Sequence, residues 1–202
     1  MGAALRRLLV LAALLLLVPG GFSFPNGVNE TGDEGCLCHG ASTASLAVSI
    51  DGLPEVYTPN ATYTLLVTGD ASHVGEGGFR LTVDAGRLEI VNATGTHLLD
   101  EGATHTAPSS TSVGWEVRWI APEVEGVAAT VVVHVNHVDG GGSSEGDRWS
   151  SHRQLVPGPA YDGNLDVDAS DGGTTASLVV GSVALGAMLI LPWVASRYPV
   201  KR

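Results

Sequence analysis

Apolar residues are distributed in three distinct ways along the chain. Leu8 to Val18 is an unbroken apolar run that follows Arg6-Arg7 and ends at Pro19-Gly20-Gly21. A basic start followed by about 11 apolar residues matches a secretory signal. At helical rise the run reaches only about 16 Å, short of a hydrocarbon core of about 30 Å. Residues 1–23 are therefore expected to be a signal peptide, cleaved near residues 20 to 24. At the other end, Ala176 to Ala195 carries no charge and has the length of a bilayer span. Arg197, Lys201 and Arg202 follow at once, and Trp193 and Tyr198 suit the interface. Residues 176–196 thus predict one transmembrane helix, with a basic cytoplasmic tail over 197–202.

Between the ends the pattern alternates. Ser45 to Ile50, Ala61 to Thr68, Gly78 to Asp84, Arg87 to Val91 and Val113 to Ile120 read as strands, most with period two. In the third, Phe79, Leu81 and Val83 share a face. In the fifth, Val113, Trp115, Val117 and Trp119 do so, which makes the two tryptophans core anchors. Val127 to Val135 is apolar enough for a central strand, and Trp149 to Val156 suits an edge. About seven short strands separated by Gly, Pro, Asn and Asp predict an all-β domain, an immunoglobulin-like antiparallel β-sandwich over 45–156. A Gly-, Asn- and Asp-rich lead-in occupies 24–44. Residues 157–175 are turn-formers and acids, expected to act as a flexible stalk.

Charge narrows the partners. All 21 Asp and Glu lie between the two apolar ends, against five arginines and no lysine, a formal charge of −16 for that part. Such a field repels nucleic acid and anionic surfaces and attracts cationic partners. Sequons at Asn29, Asn60 and Asn92 are usable for glycosylation in an exported chain. With only two cysteines, one residue apart in sequence, no disulfide framework supports the fold. No hydrolase, zinc-protease or P-loop pattern appears, and the chain is not expected to be an enzyme.

A series of motifs runs through the domain: Gly78-Phe79-Arg80-Leu81, His105-Thr106, Trp115 to Trp119, Ala121-Pro122, the run Thr130 to Val135 with Asn136, and Gly146-Asp147. In this order they resemble the Reeler (reelin N-terminal-like) domains, in particular the microbial "choice-of-anchor V" group. The resemblance covers about residues 32 to 152. It implies an immunoglobulin-like sandwich on a cell surface, with a signal peptide, a Cys-x-x-Cys-His near the mature N-terminus and a C-terminal anchor.

The densest chemistry is Cys36-Leu37-Cys38-His39. Two thiols can form thioethers to haem vinyl groups while the adjacent His39 ligates iron. Only Leu37 separates the cysteines, where the resembled group has two residues. Covalent haem c is the leading reading, and the resemblance supports it. A Cu(I) or Zn(II) site, a local redox pair and a vestigial cluster are the others. The candidate cofactor residues are Cys36, Cys38 and His39, and the candidate metal ligands are His39 and His105. His105 is chosen from His73, His97, His105, His134, His137 and His152 because it falls where the resembled group has its His-Thr. The Asn136 to Asp147 loop is acidic but lacks a calcium-loop spacing and is expected to be a plain loop. Three functions follow as expectations: a membrane-anchored extracytoplasmic haem protein for electron transfer with a redox protein partner, a cell-surface interaction module, and an envelope Cu/Zn-binding protein.

Overall fold

The computed structural model describes residues 24–43, 46–70, 75–112, 114–139 and 144–165. The expected signal peptide, membrane span and tail lie outside them, as do His73 and Val113. Among the described residues no helix is long and apolar enough to cross a membrane.

Among the described residues, nine strands form two antiparallel sheets. They are β1 (Ser49–Asp51), β2 (Thr62–Thr68), β3 (Glu76–Val83), β4 (Arg87–Ile90), β5 (Thr96–Leu99), β6 (Gly102–His105), β7 (Gly114–Ile120), β8 (Ala128–Val138) and β9 (Arg148–Pro157). One sheet runs β1-β2-β7-β4, the other β5-β6-β3-β8-β9. The sandwich read from the alternation is present, with two differences. β5 and β6 form a hairpin that the pattern did not reveal, and β1 begins at Ser49 rather than at residue 45. Thr-His-Leu-Leu and Gly-Ala-Thr-His carry little apolar alternation, and only Ala103 of β6 reaches the core.

The core lies between the sheets. Leu65 and Val67 of β2 and Trp115, Val117 and Trp119 of β7 face Phe79 and Leu81 of β3 and Val131, Val133 and Val135 of β8. Trp119 stacks on Tyr63 at 5.6 Å between ring centroids and meets Tyr57 edge-on at 5.9 Å, within the range where aromatic pairs attract. Its indole Nε1 donates to the Ala85 carbonyl at 3.0 Å, and that of Trp115 donates to the Ser109 carbonyl at 3.2 Å, so neither buried tryptophan leaves a polar atom unpaired. Both are core anchors, as the shared face predicts. Tyr57, in the connection before β2, is also core.

The outer face of the five-stranded sheet is covered as well. There β3 presents Arg80, β8 presents His134 and β6 presents Thr104, in register with one another. Residues 24–43 lie across them. Arg80, fully buried, donates from Nε to Asp33 Oδ1 at 2.7 Å, from Nη1 to the Leu99 carbonyl at 2.6 Å and from Nη2 to the Asp100 carbonyl at 3.2 Å. A buried guanidinium needs such partners. His134 bridges the Asp33 carbonyl at 2.9 Å and the Ser151 hydroxyl at 2.6 Å. The Val28 amide donates to Thr104 Oγ1 at 3.1 Å. The lead-in is thus a strap bonded to the sheet. Beyond β9, the Gly158 and Ala160 amides still donate to the carbonyls of Val127 and Glu125.

Candidate functional site

The strap positions the Cys-Leu-Cys-His motif. Leu37–His39 forms one 3₁₀ turn, closed by the His39 amide donating to the Cys36 carbonyl at 2.8 Å. On either side, Trp149 of β9 fixes the backbone. Its Nε1 donates to the Gly40 carbonyl at 2.9 Å, and its carbonyl accepts from the Thr43 amide at 2.7 Å. Gly35 lies flat on the indole. At φ +113° with a would-be Cβ 2.4 Å from the ring, no other residue fits there.

His39 is held from behind. Its Nδ1 lies 2.8 Å from Asp147 Oδ2, and the carboxylate's Oδ1 accepts from the Asp139 amide at 3.2 Å. Asp147 immediately precedes β9 and its side chain is only 7 % exposed, while His39 is 25 % exposed. Nδ1 therefore donates to the carboxylate, and Nε2 is the nitrogen left for a ligand role, the geometry by which carboxylates orient metal-binding imidazoles. Both cysteines are free thiols. Burial, with the charge of Cys38 adding to it, pushes the Cys36 thiol up to about 12. At neutral pH it is an unreactive thiol, whereas Cys38 is exposed.

Cys36, Cys38, His39 and His105 line one cleft. Phe24, Pro25, Val28, Leu37, Phe79 and Val138 supply its apolar wall. Its volume is about 130 Å³, below the roughly 300–1,000 Å³ of sites that engulf a drug-sized ligand.

His105 thus comes to the same cleft as the motif, although 66 residues separate it from His39 in the chain. Its ring packs on the Gly78 backbone, and its Nδ1 accepts from the Phe79 amide at 3.2 Å. That bond puts the ring proton on Nε2, so ligation through Nε2 calls for a turned ring. Burial lowers its pKa below the usual imidazole value, the neighbouring His97 adds to that shift, and a hydrogen bond at the Phe24 backbone opposes it. His134 is committed to the strap and His137 is buried at the end of the core. Among the described residues, no group of three or more His, Cys, Asp or Glu side chains is placed to share a metal ion.

Asp147, Trp149 and Arg80 are the site residues that sequence reasoning did not single out. Gly146-Asp147 and Arg80 stand within the motifs quoted above, but no local signal ties them to Cys36–His39.

No family model matches the chain, and no curated protein matches it. Among solved structures, the Reelin-N domain of F-spondin is similar at 18 % identity and a TM-score of 0.40, over 47 % of this chain and 74 % of that one. The human F-spondin reeler domain is similar at 17 % identity and 0.43, over 59 % of this chain and 96 % of that one. A DUF4466 family protein from Parabacteroides merdae is similar at 10 % identity and 0.33, over 57 % and 45 %. Reeler domains are thus among the structures this chain is similar to.

Proposed function

We propose that the chain is a membrane-tethered, extracytoplasmic β-sandwich protein that carries a covalent haem on Cys36 and Cys38 for electron transfer. One observation carries this reading. His39 is held by Asp147 with Nε2 left over, beside both thiols on one apolar-walled cleft. The donor set fits: two thiols for thioethers, one imidazole with a fixed back side, and Phe24, Val28 and Phe79 to exclude water from one edge. A bound haem would supply one-electron chemistry. The residues' own contribution is to attach, orient and partly dehydrate it. A cleft of about 130 Å³ would not engulf so large a group, which suits electron exchange with a docked protein partner, because part of the group would stay accessible. The signal and the C-terminal span would place this site outside the cytoplasm, where covalent attachment occurs.

The test is an absorption spectrum and an intact mass of protein purified from its native host. A Soret band and a mass gain of one haem are expected, both lost in Cys36→Ala and in Cys38→Ala. Native protein lacking both would sink the reading. A cofactor-free interaction module is the second reading, favoured by Leu37 and Phe24, which are 56 % and 49 % exposed at the rim of the cleft. It gains if haem-free native protein loses attachment to cell surfaces on Leu37→Asp.

A further inference from the structure

The back of His39 is more elaborate than a turn in a strap requires. A carboxylate oxygen only accepts hydrogen bonds, so the 2.8 Å contact to Asp147 Oδ2 requires the proton on Nδ1. The carboxylate is itself fixed, by the Asp139 amide on its other oxygen and by burial. Two residues along, Trp149 clamps the Gly40 carbonyl, so both ends of the pair are tied to the same stretch of chain. We propose that Asp147 is a positioning residue for His39. It holds the ring proton on Nδ1, aims the Nε2 lone pair into the cleft and lends the ring negative charge. Which nitrogen of a histidine binds a ligand is set by the hydrogen bond of the other, and a carboxylate partner raises the basicity of the ligating nitrogen. An iron held there would be stabilised in its oxidised form and set to a low potential. This part rests on the haem reading, whereas the tautomer does not.

Both parts can be measured separately. The full chain with Cys36→Ala and Cys38→Ala, labelled with ¹⁵N in detergent, is haem-free by design. Two-bond ¹H–¹⁵N correlations of its His39 ring report the tautomer. We expect Nδ1–H in this parent, Nδ1–H retained in Asp147→Asn, whose amide oxygen still accepts, and a shift to Nε2–H in Asp147→Ala. An Nε2–H ring in the parent, or no change in Asp147→Ala, overturns the proposal. In haem-bearing native protein, Asp147→Asn should move the midpoint potential positive without loss of His39 ligation. An unmoved potential overturns the electronic part. Native protein without haem overturns the functional reading and leaves the tautomer result to stand alone.

Discussion

His105 and Gly78 show how tightly single residues are fixed around the cleft. A Cβ on Gly78 would lie 2.2 Å from the His105 ring, with the ring's two nitrogens at 2.6 and 2.8 Å. The ring has little room to retreat, because its Nδ1 is bonded to the neighbouring amide. Gly78→Ala should therefore cost about 1–3 kcal/mol, the range for overpacking a filled interior, read as a lower denaturation midpoint. His105 and His134 also make stability depend on pH. Burial lowers both pKa values, although the Asp33 carbonyl and the Asp33 and Glu34 charges oppose the shift at His134 and Arg80 reinforces it. In this window the unfolded chain binds more protons than the folded one, so stability rises with pH. It is full above the unfolded value of about 6.5 and is lost as pH falls toward the lowered folded values. Urea midpoints measured from about pH 8 down to about pH 5 should fall below pH 6.5, and less steeply in His134→Gln. A flat profile in the parent would contradict the assignment.

At the scale of elements, the strap owes its place to β3. Arg80 joins Asp33 to the carbonyls at the β5–β6 turn. Arg80→Ala removes every one of those donors and should cost about 3 kcal/mol. In hydrogen exchange, the amides of residues 28–39 should lose protection before those of β8. Alternation made β3, β7 and β8 legible in the sequence, because their inward residues are large and strictly spaced. The β5–β6 hairpin was not legible, since its inward contribution is one alanine. The site divides in the same way. Cys36, Cys38 and His39 were visible because they are contiguous, and His105 because of a motif. Asp147 was not, since a contact across 108 residues leaves no local periodicity to read. Arg80 stood in a strand whose outer face would ordinarily be solvated, and only the strap makes that face an interior.

For the whole molecule, charge and connectivity both matter. The part between the apolar ends holds a formal −16, and self-repulsion of that size weakens a compact state. Raising salt from about 0.05 to about 1 M shortens the reach of those charges to about 3 Å and should raise Tm, most clearly at neutral pH where the carboxylates are ionised.

The contacts that seat Cys36–His39 have a consequence in time. Asp147 and Trp149 lie at the far end of the domain, more than 100 residues after the strap they hold. Synthesis from the N-terminus delivers the two thiols early and their supports last. Until β9 arrives, the turn lacks the Asp147 and Trp149 contacts that hold it. Chains truncated before Asp147 should accordingly be alkylated at both cysteines at similar rates, while in the full chain Cys36 should react far more slowly than Cys38. Folding thus closes a period of chemical openness, and any modification of Cys36 has its best opportunity within that period.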